Sequence, residues 1–299
     1  MKKIVFISMI VLALACEGEP DSSKNLEVEV THQGAGDSVV LGYASTTVGH
    51  KETLAAELSL DARGVVNGKD SPTSAISPLT FALSLEVTEV SERDLRAKLV
   101  VDKLAVGDSG NGSELGALAY KRLSRAIKRM PEISGELVIT PTGFVTKLEV
   151  GTDKGVSNQQ RQVIELVRNV ISQLLVPRPS SIAAGGKWKA SVNLTRNGFA
   201  VAQAQEATLE KDGSIRLTFE ENTPKDLKSV SPPGVYADSV ALDEYAGGGS
   251  GRLVLDKGLV FPREAALELS AKTAVTLEQA GRTDKVLSKA RLAIKAKSE

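Results

Sequence analysis

Between residues 79 and 102 the chain alternates apolar with small or polar residues so regularly that one local structure fits. Leu79, Phe81, Leu83, Leu85 and Val87 are interleaved with Thr80, Ala82, Ser84, Glu86 and Thr88. After Ser91-Glu92-Arg93-Asp94, the residues Leu95, Ala97, Leu99 and Val101 are interleaved with Arg96, Lys98 and Asp102. Successive side chains of a β-strand point to opposite faces, so a period of two buries one face and wets the other. A helix would scatter the same residues around its circumference. The turn-forming tetrapeptide makes the two runs a hairpin.

The same pattern recurs over 136–150 around Pro141-Thr142-Gly143, and at Trp188, Ala190, Val192 and Leu194 ahead of Asn197-Gly198. Asn-Gly supplies the positive φ that a two-residue hairpin loop requires. Asp212-Gly213 leads into Ile215, Leu217 and Phe219, and further strands are predicted at 252–256, 259–270, 272–279 and 285–296. Gly247-Gly248-Gly249-Ser250-Gly251 reads as a flexible hairpin connection or a bulge.

Two stretches change period. From Ser157 or Asn158 as cap, Val163, Leu166, Val167, Val170, Ile171, Leu174 and Leu175 fill one arc of a helix, while Gln162, Glu165, Arg168, Asn169, Ser172 and Gln173 fill the other. A second helix is predicted near 113–130, with Leu115, Leu118, Ala119, Leu123, Ala126 and Met130 on one side and Lys121, Arg125, Lys128 and Arg129 on the other. Pro177 and Pro179 end the first of these helices, because proline lacks the amide donor and clashes with the preceding turn. The expected class is α+β: a curved antiparallel sheet of hairpins and meanders covered by two amphipathic helices. No tandem repeat of solenoid length is visible.

Composition removes several functions. The 299 residues carry 37 Lys+Arg against 37 Asp+Glu, so there is no excess of cations to neutralise a nucleic acid. A single cysteine rules out a disulfide scaffold or a thiolate metal cluster. At 41% hydrophobic and 25% charged residues the chain is expected to fold.

That single cysteine is placed informatively. Met1-Lys2-Lys3 is a short basic region and 4–15 is an apolar run too short to span a bilayer, the pattern of a signal peptide. Leu12-Ala13-Leu14-Ala15-Cys16 follows, and it resembles the lipobox of bacterial lipoproteins, with Ala13 where that motif usually has Leu. The resemblance implies that Cys16 is acylated and becomes the first residue. Stable anchoring needs more than one acyl chain, and lipoproteins of this kind carry several, palmitate among them. Glu17 after Cys16, in place of Asp, implies the outer membrane under the sorting rule of that class. Residues 1–15 are then the signal peptide, 16–35 the lipidated Cys and a polar tether, and 36–299 one α+β domain, with a candidate division into two sub-lobes near 176–186. Loss of Lys2 and Lys3 with the signal leaves the mature chain slightly acidic.

Leu174-Leu175-Val176-Pro177 followed by Gly185-Gly186-Lys187-Trp188 resembles the helix, proline, G-x-W, strand junction of a family of bacterial envelope lipoproteins of unknown function. That likeness carries over no active-site residue. A more distant similarity is to periplasmic lipoprotein carriers, in which a curved antiparallel sheet wraps helices around an apolar cavity.

Motifs that could carry chemistry lack their partners. Gly107-Asp108-Ser109-Gly110 resembles the nucleophile segment of trypsin-like proteases. The chain has only His32 and His50 to serve as base, and Asn111 follows where that family has Gly. The two histidines have no ligands at metal spacing. No catalytic residue, metal or cofactor is expected. The expected function is that of a non-catalytic lipoprotein of the outer membrane, binding a hydrophobic ligand or lipid between sheet and helices, with Phe81, Leu83, Val167, Ile171 and Trp188 lining the pocket. This carrier reading requires a cavity of roughly 300 Å³ or more. The alternative is a structural or interaction protein that docks to another envelope component through a strand edge or through a partner or membrane face at Lys121, Arg125, Lys128 and Arg129. A hydrolase is the third reading.

Overall fold

The computed structural model describes residues 28–41, 43, 46–107, 114–196, 199–223 and 238–299. In chain order the elements are β1 (Val28–His32), β2 (Ser38–Val40), β3 (Lys51–Val66), β4 (Lys69–Val90), β5 (Leu95–Val106), α1 (Glu114–Lys128), β6 (Ser134–Ile139), β7 (Val145–Gly151) and α2 (Asn158–Leu174). There follow β8 (Ser181–Ala183), β9 (Lys187–Arg196), β10 (Phe199–Leu209), β11 (Ser214–Asn222), β12 (Ser239–Val254), β13 (Glu264–Gln279) and β14 (Arg282–Ser298).

Twelve strands form one antiparallel sheet in the order β1-β9-β10-β11-β12-β13-β14-β3-β4-β5-β6-β7, and β2 pairs with β8 beside it. Apart from β1–β9 and β14–β3, each strand lies next to its neighbour in sequence. The last strand is therefore what joins the two meanders. It pairs with β3 from Val286↔Val66 to Ser298↔Leu54, and Thr53 and Glu299 exchange backbone hydrogen bonds of 2.8 and 3.1 Å beyond it.

Local chemistry fixes the register. Asn67 and Gly68, with φ of 49° and 75°, form the two-residue loop between β3 and β4. Ala280 and Gly281, at 49° and 74°, do the same between β13 and β14. Both central residues of such a loop must have φ > 0, which Gly and Asn adopt readily and Ala only at a cost. Ala280→Asn is accordingly expected to raise stability by about 0.5–1 kcal/mol in denaturant melts. Strand β4 contains Pro72 and Pro78, neither of which can donate to a ladder. Each falls where the β3–β4 register shifts, so a bulge absorbs the missing donor.

The glycine run lies inside β12, paired on both sides, and not in a hairpin connection. Its inner face is occupied by neighbouring side chains. A Cβ on Gly249 would fall 2.6 Å from the Phe219 ring, and one on Gly247 would fall 2.8 Å from the Glu221 carboxylate. The glycines make room for large residues of β11.

The expected α+β class needs correction. The structure is mainly β, and its two helices, of 15 and 17 residues, do not cover a twelve-stranded sheet. Instead the inner faces of the strands pack with one another into a single core cluster that runs through both meanders. Helix α2 sits within this arrangement. It packs on β7, and Asn169 and Gln173 share a cleft with Phe219, Leu269 and Leu292 of β11, β13 and β14. In a flat sheet β7 and β11 would be about 38 Å apart, at about 4.8 Å per strand, whereas a helix of this length spans only about 26 Å. The sheet is curled around α2. Beyond Arg161 the helix has no exposed residue, and Asn169 and Gln173, on the arc expected to be polar and outward, are buried.

Candidate functional site

The five side chains expected to line a pocket are core. Phe81, Leu83, Val167, Ile171 and Trp188 are 0–3% exposed and belong to the one buried cluster. Trp188 is further tied by a hydrogen bond of 2.9 Å from its Nε1 to the Pro177 carbonyl, which accounts for the Trp that follows the proline junction. The cleft that the described residues form between α2 and β11–β14 holds about 20 Å³, room for about one water. None of the five lines it.

The basic face of α1 is presented differently. Lys121, Arg125, Lys128 and Arg129 are all exposed, and Arg122, not singled out from the sequence, is exposed beside them. At about 100° per residue these five fall within about a third of the helix circumference. The opposite side, through Leu123, Ala126, Ile127 and Met130, packs against the core. None of the five has an ion pair among the described residues. Their placement is held by α2. Ser157 and Gln160 form a capping box, with the Ser157 amide donating to Gln160 Oε1 at 2.9 Å and the Gln160 amide donating to Ser157 Oγ at 3.3 Å. Gln160 Nε2 then donates to the carbonyls of Ala126 and Arg129, at 3.3 and 2.8 Å. One side chain thus satisfies the start of α2 and bonds two carbonyls at the end of α1, that of Ala126 being shared with the Arg129 amide. The cations in that last turn also oppose the helix dipole favourably.

No known protein family matches this chain, and neither does any curated protein.

On the outer face, β11–β14 form an open groove of about 980 Å³ with a floor of Thr218, Ser250, Ala266 and Ala293. Much of its rim is internally neutralised: Arg216 pairs with Glu210 at 2.8 Å and Arg252 with Asp212 at 2.6 Å. The Ser214 hydroxyl and amide, and then Arg252, hold the Asp212 carboxyl below its ordinary range. Inside the curl is a polar cluster that sequence reasoning missed. Gln203 Nε2 and the Tyr245 hydroxyl donate to Glu221 at 2.7 and 2.5 Å, and Gln205 Nε2 donates to Gln203 Oε1 at 2.6 Å. Residues 108–110 of the protease-like tetrapeptide, and Cys16, lie outside the described residues. His50 bonds Glu52 at 3.1 Å, and His32 sits exposed in β1.

Proposed function

We propose that this protein is a non-catalytic lipoprotein of the bacterial outer membrane, anchored through Cys16, that works by docking the basic face of α1 onto an anionic envelope surface. The observation that carries this reading is the contrast between the deeply buried core and the five exposed cations on α1, which have no ion pair among the described residues, in a chain with no net positive charge. Several acidic groups elsewhere are held in cross-strand ion pairs, such as Lys147–Glu136 at 2.8 Å, Lys189–Glu206 at 2.6 Å and Lys272–Glu244 at 2.7 Å. Cations close to an anionic bilayer each contribute about 1 kcal/mol, and a polybasic patch is a common second signal beside an acyl anchor.

The two signals separate experimentally. In a Cys16→Ser background, which removes the acylation site, the protein should still cosediment with vesicles containing anionic phospholipid and not with zwitterionic ones. Combining Lys121→Glu, Arg125→Glu and Lys128→Glu should weaken that binding at least tenfold. Equal binding by the charge-reversed protein would exclude this face.

A further inference from the structure

At the end of the molecule where β3 begins, three buried donors have no acceptor. Among the described residues the Tyr43 hydroxyl, Thr46 Oγ1 and Arg178 Nε each lack a hydrogen-bond partner, and all three residues are only 5% exposed. They belong to one cluster. The Arg178 guanidinium lies 4.3 Å from the centre of the Tyr43 ring, and the Thr46 amide donates to the Tyr43 carbonyl at 3.1 Å. The walls are fixed: the Arg178 amide donates to Thr142 at 2.8 Å, the Leu41 amide donates to Ser180 at 2.9 Å, and β2 pairs with β8.

An arginine cannot shed its charge, so a buried guanidinium needs an anion close by. The acid in this region, Glu52, is already committed. Its oxygens accept the amides of Val260 and Phe261, at 2.7 and 2.9 Å, and His50 Nε2 at 3.1 Å. No ion pair joins Arg178 to a carboxylate among the described residues. Burial, helped by the nearby Glu52 charge and opposed by the Arg178 guanidinium, which lies within loose hydrogen-bonding reach of the hydroxyl, raises the Tyr43 phenol above its ordinary range, so it stands protonated with its own O–H left to donate. Stacking on Tyr43 covers a face of the guanidinium and leaves its in-plane N–H groups to bond elsewhere.

From these unsatisfied donors we propose that Arg178, Tyr43 and Thr46 form a buried site for one small oxyanion of the carboxylate or phosphate class. The anion would accept from Arg178 Nε and from the two hydroxyls, completing each of them. This site is independent of the α1 surface, at which substitutions should leave it unchanged.

The test uses the full chain in detergent, refolded from urea in chloride buffer to strip any bound anion. Thermal unfolding is followed against sodium phosphate and, separately, sodium acetate at constant ionic strength. With at least one of the two, Tm should rise by several degrees and saturate, as expected when only the native state binds the ligand. The arm that saturates identifies the anion. Thr46→Val and Tyr43→Phe, which keep shape, should each weaken the apparent affinity about tenfold, the usual loss for one hydrogen bond to a charged group. Arg178→Met should abolish the rise, and if that variant fails to fold, the two conservative variants decide. The proposal is overturned if Tm does not rise, rises without saturation, or rises equally in wild type and the Thr46 and Tyr43 variants.

Discussion

Replacing Gly249 with valine is expected to abolish cooperative folding. Gly249 sits in the middle of β12, opposite Phe219 on one side and Leu269 on the other. Its missing side chain is the space that the Phe219 ring uses: an added Cβ would stand 2.6 Å from Phe219 Cζ and press on the Glu268 carbonyl as well. A ring can rotate, but a backbone carbonyl bonded within a twelve-stranded sheet cannot move without taking its strand along. Overpacking of this kind costs more than about 3 kcal/mol where the neighbours cannot yield. Circular dichroism and size exclusion should show Gly249→Val expanded or aggregated. Ser250→Val, one residue on and facing outward, should stay within about 0.5 kcal/mol of wild type, because valine suits an exposed strand position.

The second large effect is expected at Glu52. Its side chain is fully buried and accepts the backbone amides of Val260 and Phe261, tying the start of β3 to the segment between β12 and β13. Alanine would leave two amides and His50 without their acceptor inside the protein. With about 1–3 kcal/mol for each orphaned buried donor, Glu52→Ala should lose about 3–5 kcal/mol. For a chain of this size that corresponds to a fall in Tm of about 10 °C or more. Glu86→Ala is the control. Glu86 is half-exposed and pairs with Lys51 at 3.6 Å, and removing such a surface ion pair should cost no more than about 1 kcal/mol. Equal losses at the two positions would mean that Glu52 does not anchor this end of the core.

These two residues also show what was legible in the sequence. Strict alternation revealed β4, β5, β9 and β11, and turn chemistry revealed several of their connections, because both signals are local. Strand β3 alternates as strictly, but of its seven buried positions two are alanine and one is glycine, which weakens the contrast, and Glu52 occupies an inward position where a carboxylate argues against burial. Its stabilisation comes from amides more than 200 residues away, beyond the reach of any local pattern. The glycine run reads as a loop because its justification lies on β11.

Helix α2 was identified with its capping serine, yet its surroundings were not. Amphipathicity implies one buried side, and only the curl of the sheet brings Asn169 and Gln173 inside. The same curl removes the expected covering role of the helices and places Phe81, Leu83, Val167, Ile171 and Trp188 in the core. The α1 cations were readable because a charged face on a surface helix depends on little beyond the helix itself. Their rigid placement was not, since it depends on Gln160, which reads locally as the third residue of a capping box.

The most direct test of docking through α1 is vesicle cosedimentation of the Cys16→Ser protein at low and physiological salt, with and without the three charge reversals. Binding to anionic vesicles that falls with salt and drops at least tenfold on reversal is the predicted result. Binding that is absent at both salt concentrations, or that persists unchanged in the reversed protein, would contradict it.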